Sequence, residues 1–244
     1  MTADTPTILA TSGGLVPAPR TLFGFGPLLH HAIELAGVTG RAPRVCYVGT
    51  AGGDQEGYEA RFAEAGRAAG VTVNPLRLFS MPNVDDLTGL LLDHDVAWVG
   101  GGSVANLLAL WRLHGLDESF RQAWAAGVVL AGVSAGSVCW HVGGTTDSFG
   151  PDLRPVTNGL GFLPYANGVH YDNEALRRPK FHQYIAEGIL PGGYATDDHT
   201  GLVYHGTELT EAVAEVSGPA AYHVFLADGE VREERLPTRL LPGA

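Results

Sequence analysis

The feature that most narrows the fold is a series of short apolar runs that each stop at glycine or a small-residue turn. Thr7–Ser12 precedes Gly13-Gly14, Arg44–Val48 precedes Gly49, Val96–Val99 precedes Gly100-Gly101-Gly102, and Val128–Val133 runs into Ser134-Ala135-Gly136. Their hydrophobicity is continuous rather than alternating, the pattern of strands buried on both faces, as in a parallel sheet. Between them the apolar residues recur on a helical period. Leu28, Leu29, Ala32, Ile33 and Ala36 share one face, and Tyr58, Phe62 and Ala65 another. Val104, Leu107, Leu108 and Trp111 form a third, which stops at Gly115. Strands alternating with helices predict an α/β fold, a doubly wound and mostly parallel sheet with helices on both faces.

The pattern changes after Phe149. Residues 150–170 are rich in Gly, Pro and Asn and predict a long irregular segment. A helix is expected over Asn173–Glu187, with Pro179 starting or interrupting it. Thr200–Tyr204, Glu211–Val216 and Ala221–Leu226 read as short strands, an antiparallel C-terminal edge on the parallel sheet. No internal repeat, charge block or low-complexity linker divides the chain, so residues 1–244 are expected to form a single domain.

Charge and composition exclude several function classes. Fifteen Lys and Arg face 26 Asp and Glu, a net charge of −11 with His neutral. Nucleic acid and anionic membrane surfaces are poor partners for such a chain, whereas a small substrate met by a few local cations fits it. No apolar run approaches the roughly 20 residues of a helical membrane span. Met1–Pro6 carries no basic region ahead of Thr7–Ala10, so no secretory signal is expected. Cys46 and Cys139 lie inside apolar runs and read as buried thiols, which points to the cytoplasm.

The chemistry concentrates at Gly132-Val133-Ser134-Ala135-Gly136. A serine between small residues at the end of an apolar strand has the form of a nucleophile elbow, whose sharp turn leaves no room for larger side chains. The N–H of Ala135 would then face a developing oxyanion, with Gly101 or Gly102 of the neighbouring glycine turn as the second donor. Neither G-x-G-x-x-G with its downstream acid nor a Gly-Lys-Ser/Thr loop occurs, which disfavours nucleotide binding.

The serine needs a base held by a carboxylate. Of ten histidines, His170 sits in a polar loop before Tyr171-Asp172-Asn173-Glu174 and is the best placed. His141 is expected two turns along the helix after Ser134 and so pointing away. Asp147, Asp152, Asp172, Asp197 and Asp198 all remain open as the acid. Asp197-Asp198-His199 has metal-ligand chemistry, but no His-x-x-x-His or Cys-x-x-Cys spacing supports a site, and no metal or cofactor is expected.

Taken together, these residues resemble a known family. Val99-Gly100-Gly101-Gly102, Gly132–Ser137, Thr145-Thr146-Asp147 and Ala195–Leu202 are similar to motifs of the serine peptidases that include aspartyl dipeptidase (peptidase E) and cyanophycinase. Their fold resembles that of class I glutamine amidotransferases, and the likeness runs from Thr7 to about Tyr204. The resemblance implies Ser134 as nucleophile, His170 as base and Asp198 as orienting acid, where relatives tend to carry Glu. Asp147 and Asp197 are the fallback acids, and Gly101 or Gly102 with Ala135 would form the oxyanion hole. It implies a dipeptidase acting on short peptides with an N-terminal Asp. The basic cluster Arg177, Arg178, Lys180 and His182 would meet the substrate carboxylate, Arg177 and Arg178 foremost. Two rivals stand beside this reading: an α/β-hydrolase-type esterase using His223, and a non-catalytic amidotransferase-like binding scaffold. A homodimer is a further partner option.

Overall fold

The computed structural model describes residues 3, 5–173 and 175–243; Met1, Thr2 and Asp4 of the N-terminal segment, Glu174 and Ala244 lie outside the described residues. The chain runs through β1 (Thr7–Thr11), the short strands β2 (Leu15–Val16) and β3 (Gly24–Phe25), and α1 (Pro27–Leu35). It continues through β4 (Arg44–Val48), a 3-10 turn at Thr50–Gly52, α2 (Glu56–Ala68), β5 (Thr72–Leu76) and α3 (Leu87–Leu92). Next come β6 (Val96–Val99), α4 (Val104–His114), α5 (Leu116–Ala125), β7 (Val129–Val133) and α6 (Ala135–Val138). The second half holds β8 (His141–Thr146), β9 (Arg154–Val156), β10 (Leu163–Gly168), α7 (Arg177–Ala186) and β11 (Gly193–Thr196). It ends with β12 (Thr200–His205), β13 (Glu208–Ala214), β14 (Ala221–Ala227), β15 (Glu230–Arg235) and β16 (Thr238–Leu240).

The fold is α/β, built on an eight-stranded sheet in the order β16-β13-β12-β1-β7-β6-β4-β5. Strands β1, β7, β6, β4 and β5 are mutually parallel, and the continuously apolar runs are these strands. Every residue of β1 and β6 is buried, because helices cover both faces. Trp111, Phe120 and Trp140 fill one side, and Phe25, Tyr47, Phe62 and Trp98 the other. The expected antiparallel edge exists in β12 and β13, which follow β1.

A second sheet, ordered β15-β14-β11-β10-β8-β9, departs from the sequence reading. Residues 150–170 are not a long irregular segment, since they contain β9 and β10. Ala221–Ala227 pairs with β11 and β15 in this sheet, not with the edge of the first. The cause of the misreading is glycine used for close backbone approach. A Cβ on Gly143 would lie 2.1 Å from Val156 O, and one on Gly193 only 1.9 Å from Ala166 O. These glycines sit inside the sheet, in β8 and β11, which carry no apolar run to mark them as strands. Helix α7 starts at Arg177 rather than Asn173, so Pro179 falls in its first turn, where it costs no intrahelical hydrogen bond. Tyr171, Phe181, Tyr184 and Ile185 pack this helix region onto the second sheet.

The two sheets meet at the edge where the parallel strands end. Thr11 of β1 pairs with Gly201 of β12, Gly168 of β10 pairs with Ala195 of β11, and Ser12 Oγ lies 2.7 Å from Thr196 Oγ1. Among the described residues no helix is long and apolar enough to cross a membrane.

Candidate active site

Ser134 stands between β7 and α6 with φ 59° and ψ −114°, a strained conformation for a residue with a Cβ. The surrounding hydrogen bonds fix it there. Its N–H donates to Thr11 O, and its own carbonyl accepts from Ser137 and Val138 N–H. The flanking glycines are required by packing. A Cβ on Gly136 would approach Val99 O to 2.2 Å, and one on Gly132 would approach Gly136 O to 2.5 Å. Only with both side chains absent can α6 rest directly on the ends of β6 and β7.

The helix start and the glycine turn after β6 supply backbone donors beside the serine. The ideal Cβ position of Gly101 is 3.3 Å from Ser134 Cβ and 3.9 Å from its Oγ. Among the described residues, the N–H groups of Gly101 and Ala135 make no hydrogen bond to protein. Gly102 is placed differently. It has φ +136°, and a Cβ there would strike Ala51 O at 2.3 Å. Gly101 lines the cavity beside Ser134 and Gly102 does not.

His170 follows β10 with φ 53°, and its N–H donates to Ser12 Oγ at 3.1 Å. Its Nδ1 lies 2.5 Å from Asp198 Oδ1, which leaves Nε2 as the ring nitrogen free to exchange a proton. Asp198 is held in turn: its N–H donates to Asp172 Oδ1 at 2.8 Å, and its Oδ2 accepts from Asn173 Nδ2 at 2.8 Å. The shorter Asp side chain therefore reaches the imidazole without a Glu. Ser134, His170 and Asp198 line one cavity of about 530 Å³ together with Leu15, Tyr47, Tyr58 and Val133. Tyr47 packs against Phe62 and Tyr58, and burial pushes its phenol above the ordinary value.

The other sequence candidates lie elsewhere. Asp197 is buried and turned away from His170; its Oδ2 accepts from Ala220 N–H and Tyr222 O–H, and burial pushes its carboxyl up. Asp147 sits in the β8–β9 turn, where its carbonyl accepts from Gly150 N–H, and does not line the cavity. Arg177 and Arg178, expected at the substrate carboxylate, do not line the cavity either. Arg177 is buried and donates to Thr145 O. Arg178 pairs with Glu233 Oε1 at 3.0 Å and lies over the rings of Tyr171 and Tyr222. Arg178 thus serves the packing of α7 on β14 and β15. His182 joins the same carboxylate, and Lys180 reaches only Gln183.

His141 is not on the helix after Ser134, because α6 ends at Val138. It opens β8 and is fully buried, with Nδ1–H donating to Ser137 O and Nε2 facing Tyr204 O–H. His223, the base an esterase order would require, is stacked between Tyr194 and Phe225 away from the cavity. A further pair was not foreseen: His199 lines the cavity, with its Nδ1 3.3 Å from the buried Glu215. The 16-residue separation of that pair carries no local signal.

Comparison with known proteins finds peptidases. The model of peptidase family S51 matches residues 8–212. An uncharacterized peptidase of Bacillus subtilis (strain 168), YgaJ, is 43% identical over 199 residues, covering 82% of this chain and 85% of that protein. Among solved structures, a putative peptidase E protein from Listeria monocytogenes EGD-e superposes with a TM-score of 0.58 at 18% identity, over 95% of this chain and 98% of that one. A peptidase from an acI-B1 actinobacterium gives a TM-score of 0.62 at 19% identity, over 94% and 95% of the two chains. At that identity the two structures speak to the fold.

Proposed function

The chain belongs to peptidase family S51 and is a serine peptidase, and from this premise we propose that Ser134, His170 and Asp198 are its catalytic triad. The observation that carries the reading is the His170–Asp198 pair at 2.5 Å in the cavity that the elbow serine also lines. His170 Nε2 takes the proton of Ser134 as Oγ attacks the scissile carbonyl, and Asp198 stabilises the imidazolium that forms. The N–H groups of Gly101 and Ala135 receive the oxyanion. His170 then protonates the leaving amine. Water, activated by the same imidazole, releases the acyl group from Ser134.

A cavity of about 530 Å³ suits a substrate of few residues, which supports a dipeptidase. The resemblance to aspartyl dipeptidase extends the proposal to an N-terminal Asp. Two free thiols, Cys46 and Cys139, both fully buried, support placement in the reducing cytoplasm.

A fluorophosphonate probe is expected to label the wild type and not Ser134→Ala; equal labelling of both would refute the assignment. Hydrolysis of Asp-Leu, Leu-Leu and an isoaspartyl dipeptide measures the substrate claim, which fails if Asp-Leu has no advantage.

A further inference from the structure

The catalytic reading leaves a second histidine–carboxylate pair of the cavity unused. His199 directly follows Asp198, with φ 66°, and its N–H donates to Ser12 O. The ring is half exposed, with a side-chain accessibility of 50%, whereas the Glu215 that it meets is 1% accessible. Glu215 is firmly seated. Its Oε1 accepts from Leu28 N–H at 3.1 Å, in the first turn of α1, where the helix dipole favours negative charge. Room for it comes from missing side chains: a Cβ on Gly13 or Gly26 would come within 2.7 Å and 2.4 Å of its oxygens.

Two costs therefore coincide at one point of the cavity wall. A non-glycine residue in the left-handed region is strained. A carboxylate removed from water is costly unless it is paired. Among the described residues the one side chain paired with it is a ring that lines the cavity. Strain and buried charge held together beside a catalytic serine are a signature of function.

Among the described residues the cavity lining contains no Lys or Arg, so His170 and His199 are its only side chains there able to carry positive charge. His170 is committed to Ser134. Resting on the peptidase reading above, we infer that His199, positioned by Glu215, determines specificity by receiving a substrate carboxylate through its Nε2–H. Glu215 at Nδ1 balances the charge the ring carries when both nitrogens hold protons. Nε2 has no protein hydrogen bond among the described residues and belongs to a ring that lines the cavity; in the imidazolium it is a donor. This role takes the place expected for Arg177 and Arg178. In a dipeptide the carboxylate has two sources, an N-terminal Asp side chain or the C-terminal group.

The test uses Asp-Leu, Asn-Leu and Asp-Leu-amide with the wild type, His199→Asn, His199→Arg and Glu215→Gln. Asn is the control of choice because it tolerates a positive φ while removing the cation. Loss of a charge-assisted hydrogen bond is expected to raise KM for the recognised carboxylate about tenfold, with a smaller change in kcat. Glu215→Gln is expected to move KM in the same direction, and His199→Arg to restore part of the discrimination. Collapse of the Asp-Leu/Asn-Leu ratio in His199→Asn assigns the side-chain carboxylate; collapse of the Asp-Leu/Asp-Leu-amide ratio assigns the C-terminal one. Either supports the inference. It is overturned if His199→Asn keeps both ratios, or if the wild type discriminates on neither carboxylate. Failure of the wild type to take the fluorophosphonate label would instead strike the underlying peptidase reading.

Discussion

His141 makes stability at mild acid pH a direct readout of how helix α6, which follows Ser134, is held. The ring is fully buried. Its Nδ1–H donates at 3.0 Å to Ser137 O in the last turn of α6, and Nε2 faces Tyr204 O–H at 3.3 Å. Both contacts are met by the neutral tautomer, and burial pushes the imidazolium pKa from its ordinary 6.5 to about 4. Between these values the unfolded chain binds a proton that the native chain refuses, so this stabilisation falls as pH falls through that window. At about 1.4 kcal/mol per pH unit, moving from about pH 7.5 to about pH 4.5 removes about 2.5 kcal/mol. His141→Asn keeps a donor near Ser137 O but cannot titrate. It leaves a cavity and is expected to be the less stable protein at neutral pH. The measurable quantity is the difference in unfolding free energy between wild type and variant, from urea titrations at both pH values. That gap should narrow by about 2.5 kcal/mol at the acid end, a relative midpoint shift of about 1 M urea. Other buried groups titrate in both proteins and cancel. Parallel pH profiles, with a gap constant to within about 0.5 kcal/mol, would show that the native ring is not held neutral.

Gly136→Ala places a methyl 2.2 Å from the Val99 carbonyl, a backbone atom that cannot swing away. It should cost about 2 kcal/mol or more in urea unfolding and depress kcat by displacing Ser134, whereas a wild-type-like variant would mean that α6 does not lie on β6 as described. Asp198→Asn removes the carboxylate charge and, with the amide oxygen kept by Asn173 Nδ2, turns an NH2 toward His170 Nδ1; it is expected to lower kcat about 10³–10⁴-fold with little change in KM, and a loss under about tenfold would point to another acid. Arg178→Ala should lower stability by about 1–2 kcal/mol, because it strips Glu233 of its guanidinium partner and two rings of their cation. Its Asp-Leu/Leu-Leu ratio should stay that of the wild type, and a collapsed ratio would return Arg178 to the substrate.

What the sequence made legible follows from where each signal is stored. The central strands are buried on both faces, so their identity is written in uninterrupted apolar runs, and the turn at Ser134 is written in adjacent small residues. The second sheet hides because Gly143, Gly144 and Gly193 permit backbone contact that local reading takes for turns. The acid was open among five aspartates until resemblance singled out Asp198. Beyond β11 the chain turns Asp197 toward Ala220 and Tyr222 and Asp198 toward His170, a divergence of neighbours that composition does not encode. The basic cluster lies away from the cavity for a reason that local reading does not show. Arg178 and His182 converge on Glu233, 55 and 51 residues away, so their charge is matched by a partner that sequence distance conceals.

The proposed triad draws on both sheets, and this explains why hydrogen bonds concentrate at the seam. Ser134 comes from the end of β7 in the parallel sheet, His170 follows β10 in the second, and Asp198 lies between β11 and β12, where the chain crosses from one sheet to the other. Nucleophile and base therefore keep their relation only while the sheets keep theirs. Ser12 ties them: its Oγ accepts from His170 N–H and pairs with Thr196 Oγ1, while its carbonyl accepts from His199 N–H. One residue at the end of β1 thus fixes the backbone of the base and of the residue inferred to read the substrate. The strain at Ser134, His170 and His199, each with positive φ, falls at this seam, where contacts from both sheets over-determine the backbone and can sustain it.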